Sequence, residues 1–236
     1  MEKVYARVIN LDTRTDRWDA MRRRLGPLSI ERFSAIRPTD NDLKHLSFRA
    51  ALEFGRERKH HWALTTRGAL GCTLSHLHIW KNFLQSDKQV ALILEDDADV
   101  HADDLQNAVA DALQTAHLHW DLFLLGWVGH LPGDASGVVR PLPRSEGFWG
   151  SHAYLVTRKA ASKLIDDALP IEVQLDAYLQ LCAEKHSLTI RAGRTKIKQV
   201  WKNDSDILSI CLLCNSRYVY AAFCALLAIL VFLVGR

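Results

Sequence analysis

The sequence predicts an α/β domain with a mostly parallel central sheet, followed by a C-terminal hydrophobic helix. Three observations lead there. The runs Val90-Ala91-Leu92-Ile93-Leu94 and Leu122-Phe123-Leu124-Leu125 are continuously apolar, as expected of strands covered on both faces. Segments of helical apolar spacing separate such runs, and strands alternating with helices of 10–15 residues build parallel sheets. Residues 218–235 are eighteen residues without a charge. At 236 residues, 48% hydrophobic and 24% charged, the chain has ordinary globular composition, which argues against disorder and coiled coil.

In chain order, residues 4–11 read as the first strand and Asp12-Thr13-Arg14-Thr15 as the turn after it. Residues 16–25 set Trp18, Met21 and Leu25 on one helical face. Residues 39–67 show the least pattern, and their run Arg56-Glu57-Arg58-Lys59-His60-His61 reads as a solvated face. Leu70, Leu74, Leu77 and Leu84 form a stripe through 68–85, and Leu105, Val109 and Leu113 mark another helix. The Gly- and Pro-bearing stretch 131–147 reads as a long surface loop. A strand is expected at 153–156, and helices at 158–168 and 176–185.

One domain is expected over 1–206, a linker over 207–217 and a transmembrane helix over 218–235, since about eighteen apolar residues suffice for a span. Tyr218 and Tyr220 suit the headgroup layer at one end. Lys198, Lys202 and Arg217 precede the span and only Arg236 follows it, so the expectation is a single-pass C-terminal anchor with the main domain in the cytoplasm. No apolar h-region follows Met1, and five scattered cysteines make no disulfide framework, which fits a reducing compartment. The net charge is +3, and two arginines of the last thirty residues, which hold no acid, supply much of it. A body so near neutral carries no electrostatic footprint for nucleic acid.

The most informative residues are Leu94-Glu95-Asp96-Asp97-Ala98-Asp99, where a buried run ends in clustered carboxylates. Ligands of open α/β sheets bind beyond the carboxyl ends of the strands. If the backbone stays extended, Glu95, Asp97 and Asp99 share one face and can converge on a cation. Hard oxygen ligands suit Mg²⁺ or Mn²⁺ held together with substrate phosphates. The alternative is a solvated acidic turn that caps the next helix. A second constellation runs from Gly68 to Trp80 and holds Gly71, Cys72, Ser75, His76 and His78. Its glycines cluster at a helix start, where backbone N–H groups favour an anion. Ser75-His76 is no hydrolase elbow, because adjacent helical residues diverge by about 100° and no G-x-S-x-G surrounds them.

These blocks resemble a known family. Val8-Ile9-Asn10-Leu11-Asp12 with Arg14, Asp16 and Arg17, then Glu31-Arg32-Phe33-Ser34-Ala35, resembles the opening of glycosyltransferase family 25. Gly71-Cys72-x-x-Ser75-His76-x-x-x-Trp80, Leu94-Glu95-Asp96-Asp97-Ala98 and Gly150-Ser151-His152-Ala153-Tyr154-Leu155 resemble its later blocks, in order. The resemblance implies a GT-A-like, Rossmann-like nucleotide-sugar fold. It also implies transfer of a hexose, often galactose, from a UDP-sugar to a saccharide or lipid-linked glycan, with inversion. Asp97, assisted by Glu95 or Asp99, is then expected to hold Mn²⁺ or Mg²⁺. Asn10 and Arg14, with Ser75, His76, Glu95 and Asp96, are expected around the UDP-sugar. Asp176 is the candidate base, its alternative role being the N-cap of the helix it precedes. Arg37-Pro38 stands where the family carries an acid and glycine. Two rivals are kept: a membrane-tethered inactive scaffold, and a metal-dependent phosphoryl or nucleotidyl transferase.

Overall fold

Side-chain alternation along the strands decides what each face of the sheet buries. In the computed structural model, which describes residues 3–200 apart from 116–118, 130, 132–136 and 142–146, the strands are β1 (Val4–Asn10), β2 (Glu31–Ser34), β3 (Val90–Glu95), β4 (Ala98–Asp99), β5 (Leu122–Val128), β6 (Val138–Val139), β7 (Trp149–Thr157) and β8 (Ile190–Gln199). The helices are α1 (Thr15–Leu25), α2 (Phe48–Glu53), α3 (Arg67–Gln85), α4 (Ala102–Gln114), α5 (Arg158–Asp166) and α6 (Leu175–His186). Ala91 and Ile93 of β3, Leu122 and Leu124 of β5, and Tyr154 and Val156 of β7 meet α3, α5 and α6. Their neighbours Leu92, Leu94, Phe123, Leu125, Ala153 and Leu155 meet Met21 and Leu25 of α1 and Leu105 and Val109 of α4. The result is three layers, with helices on both faces, which is why the central strands read as unbroken apolar runs.

The sheet order is β2-β1-β3-β7-β5-β8-β4, with β6 on β8. β1 pairs in parallel with β2 and β3, and β5 with β8. β7 runs antiparallel between β3 and β5, so the mostly parallel sheet is mixed at its centre. This inversion sets the start of β7 beside the carboxyl ends of β3 and β5, where Leu94 pairs with Ala153 and Val128 with Trp149. Residues 39–67 hold a 3-10 turn at Asp40–His45 and the short α2, and they pack through Leu46 and Leu64 on Leu70 at the start of α3. The linker and apolar stretch expected at 207–217 and 218–235 lie outside the described residues. Among the described residues, no helix is long and apolar enough to cross a membrane.

Gly71 fixes how closely the segment after β2 approaches α3. A Cβ there would collide with the Ile36 carbonyl oxygen and lie 2.9 Å from Pro38 Cδ. Gly71→Ala is expected to destabilise the fold by about 1–3 kcal/mol, the usual cost of overpacking, and to push the segment Ile36–Pro38 outward. Chemical denaturation checks this, and an unchanged midpoint contradicts it.

Candidate active site

Strand parity also sorts the acidic cluster. Glu95 continues the parity of Ala91 and Ile93 and so lies under α3, whereas Asp96, the first residue of the turn after β3, meets Arg17 of α1. Glu95 Oε1 accepts from Ser151 Oγ at 3.1 Å and from Cys72 Sγ at 4.0 Å, with His76 Nε2 3.7 Å away. Asp96 accepts from Asn10 Nδ2 at 2.7 Å and from Arg17 Nη1 at 3.2 Å. Asp97 occupies the turn between β3 and β4. Its Oδ2 accepts from Gln199 Nε2 at 2.8 Å, while its Oδ1 is buried without a partner.

Two cavities meet at these carboxylates. The larger, about 670 Å³, runs from Asn10 and Arg17 past Ile36–Asp40 to the first turn of α3. The smaller, about 300 Å³, lies among His61, Trp149–Ser151, Asp176 and Gln199. Arg17, Cys72, Glu95 and Asp97 line both. Volumes of this order suit small-molecule ligands. In the smaller cavity, Asp176 Oδ2 accepts from the Gly150 backbone N–H at 3.0 Å, and Oδ1 accepts from the Ala177 N–H at 2.9 Å. Gly150 presents that N–H from a φ of +82°, a conformation that glycine adopts at little cost.

Burial raises the pKa of Asp97 to about 7, and the neighbouring Glu95 adds to the rise, while the Gln199 bond opposes it. Burial raises Glu95 as well, against the pull of His152 and the Ser151 hydroxyl. Asp176 is raised by burial, with the two backbone N–H groups working the other way. Carboxylates crowded and desolvated in a cleft suit a cation. The orphaned Asp97 Oδ1 and the all-oxygen donors of Asp97 and Glu95 fit a hard divalent ion.

The structure gathers some expected residues and disperses others. Asp99 is not with Glu95 and Asp97: the chain turns at Asp96 and Asp97 instead of staying extended, and Asp99, half exposed, accepts from Arg24 Nη1 at 3.2 Å. Arg14 lines neither cavity and pairs with Asp16 at 3.1 Å, whereas Arg17, one helical turn on, faces the cleft. Asn10 lines the larger cavity, but its amide is committed to Asp96, to the Arg14 carbonyl and to Arg32 Nε, so it secures the acidic turn. Ser75 borders the same cavity yet is buried, donating to the Gly71 carbonyl and accepting from the Ile36 N–H. His76 is buried behind Glu95, and burial lowers its pKa to about 3. Asp176 is not the N-cap of α6, a position held by Gln174.

Sequence reasoning missed several lining residues, Arg58, Trp149 and Gln199 among them. Arg58 leaves the expected solvated face to border the smaller cavity, its Nε buried without a hydrogen-bond partner. Trp149 precedes the strand expected at 153–156, and its ring lies 5.1 Å from that of His61. Gln199 ends β8, a strand that no pattern announced. Arg37 and Pro38 border the larger cavity, and Pro38 packs on Gly71.

Residues 1–130 match the family model described as glycosyltransferase family 25 (LPS biosynthesis protein). Procollagen galactosyltransferase 1-B of Xenopus laevis is 30% identical over 193 residues, covering 77% of this chain and 31% of its own length. A glycosyltransferase 25 family member of Drosophila melanogaster is 29% identical over 194 residues, covering 76% and 30%. The chain thus spans about a third of the length of the curated relatives it matches. Among solved structures, a CMP:2-keto-3-deoxy-manno-octonic acid synthetase complexed with CTP aligns over 94% of this chain and 81% of its own at 8% identity, with a TM-score of 0.41.

Proposed function

Because this chain belongs to glycosyltransferase family 25, we propose that it transfers a hexose, galactose first among the candidates, from a UDP-sugar to a saccharide or lipid-linked glycan, with inversion. The fold is read as GT-A-like, with the donor in the larger cavity and the acceptor in the smaller. The observation that carries this reading is the unpartnered Asp97 Oδ1 where the two cavities meet. Asp97 and Glu95 would hold Mn²⁺ or Mg²⁺, and such an ion, when bound, supplies Lewis-acid neutralisation of diphosphate charge. Arg17 adds positive charge beside the same junction while steadying Asp96. Asp176 takes the proton of the acceptor hydroxyl as its oxygen bonds to the anomeric carbon and the bond to UDP breaks. Each Asp176 oxygen keeps a lone pair beyond its backbone bond, and a carboxylate whose pKa is raised is a better base near neutrality.

A screen of UDP-sugars for UDP release, with and without Mn²⁺, tests the reading. Release of UDP from one hexose donor in the presence of acceptor is the expected result. Pyrophosphate release would instead favour nucleotidyl transfer, and no nucleotide binding at all would favour the inactive scaffold.

The raised Asp97 also has a consequence for stability. An unfolded carboxyl loses its proton near 3.8, whereas folded Asp97 keeps it until about 7. Between those values the native state binds the extra proton, so the contribution of Asp97 to stability falls as pH rises through that window. In chelator-treated protein, the melting temperature of the unaltered chain is expected to fall relative to that of Asp97→Asn from acid toward neutral pH, since His76, lowered to about 3 by burial, contributes the opposite trend in both proteins alike. Identical slopes in the two proteins contradict it.

A further inference from the structure

Three side chains stand behind Glu95 and take no part in the chemistry above: His76 and Trp80 on α3, and Tyr154 on β7, all fully buried. Trp80 Nε1 lies 3.0 Å from Tyr154 Oη, and His76 Nδ1 lies 2.8 Å from the same oxygen. An indole N–H can only donate, so the phenol oxygen accepts from Trp80. The phenol has a proton of its own, and a buried polar group left without a partner costs about 1–3 kcal/mol. Among the described residues, the acceptor within its reach is His76 Nδ1. The phenol therefore donates to Nδ1, and the neutral imidazole carries its proton on Nε2. That nitrogen is buried without a hydrogen-bond partner, 3.7 Å from Glu95 Oε1. Ser151 Oγ donates to the same oxygen at 3.1 Å.

We propose that Trp80, Tyr154 and His76 are positioning residues for Glu95: their ordered hydrogen bonds fix His76 as the Nε2–H tautomer and present that N–H to Oε1. With Ser151 and the Cys72 thiol on the same oxygen, the other oxygen of Glu95 is left to serve the cleft. The inference rests on the reading of Glu95 and Asp97 as cation ligands. It also assigns His76 a role different from the one its surroundings first suggest. Cys72, His76 and Glu95 offer ligand atoms within 4.8 Å of one another, as a metal set would. A protonated Nε2 has no lone pair to give, so His76 supports the ligand instead of being one.

Two measurements on the full chain test this. Nitrogen-15 NMR of histidine-labelled protein, with the His76 signals identified by their loss in His76→Gln, is expected to show Nε2 protonated and Nδ1 bare. A proton on Nδ1 overturns the relay, and would return His76 to the candidate metal set. Calorimetric titration with Mn²⁺ supplies the second readout. Tyr154→Phe and His76→Leu are expected to weaken Mn²⁺ binding about 10–100-fold, the usual range for residues that support a ligand. His76→Gln, whose side-chain amide can present an N–H near the Nε2 position, is expected to retain more of the affinity than His76→Leu. Equal affinity in the Gln and Leu variants overturns the positioning role. An unaltered chain that binds no Mn²⁺ overturns the cation reading itself, a failure that the tautomer measurement keeps distinct.

Discussion

Asp97→Ala is expected to lower divalent-dependent UDP release by about 10³-fold or more while leaving the fold intact. Lewis-acid stabilisation is worth several kcal/mol, and each step of about 1.4 kcal/mol is tenfold in rate. Asp97 is the one member of the acidic turn whose carboxylate keeps a buried oxygen without a protein partner. Asp96 has both oxygens engaged by Asn10 and Arg17, so its removal is expected to loosen the turn more than to remove a ligand. Replacing Asp97 takes a buried, repelled carboxylate out of the core, so the variant is expected to melt no lower than the unaltered chain at neutral pH. Asp97→Asn keeps a partner for Gln199 Nε2 and separates the loss of charge from the loss of that bond. Steady-state UDP release across a Mn²⁺ series is the measurement. Full activity in either variant at saturating Mn²⁺ contradicts the role.

Asp176→Asn is expected to lower turnover by about 10²–10⁴-fold, the range general-base assistance supplies. The effect should fall on turnover and leave UDP affinity nearly unchanged, because Asp176 lines the smaller cavity and not the larger. The substitution preserves volume and one of the two backbone bonds, from Gly150 or from Ala177, so the start of α6 should persist. The raised carboxyl should also give the unaltered enzyme an acidic limb in its kcat/KM profile, where rate falls as protonation removes the base. That limb should weaken in the variant. A folded Asp176→Asn protein with near-normal transfer takes Asp176 out of the mechanism.

The central strands were legible because burial on both faces leaves no polar positions to confuse the pattern. The run from Val90 to Leu94 is uninterrupted for that reason, and its abrupt end in acids marked the site. Strand direction is not written in such a run, so the antiparallel course of β7 was hidden. β8 escaped because its ten residues mix cations and glycine with few apolar positions, Ile190 and Ile197 being the buried ones. With it went Gln199, the partner of Asp97. The expectation for Asp99 failed on backbone geometry: alternation brings Glu95, Asp97 and Asp99 together only in an extended chain, and two turn residues intervene. The separate placing of Arg14 and Arg17 was hidden similarly. Arg14 sits at the N-cap of α1, while Arg17 lies inside it, on the side from which a long side chain reaches Asp96. Arg58 was hidden in a charge run whose composition says nothing about which member turns inward.

The most direct test of the junction between the cavities is calorimetric titration of UDP into the chain with and without Mn²⁺. The expected result is tight UDP binding that requires the cation and is lost in Asp97→Ala. UDP binding of equal strength with and without Mn²⁺, or undiminished in Asp97→Ala, would contradict the claim that this carboxylate links a divalent ion to the diphosphate.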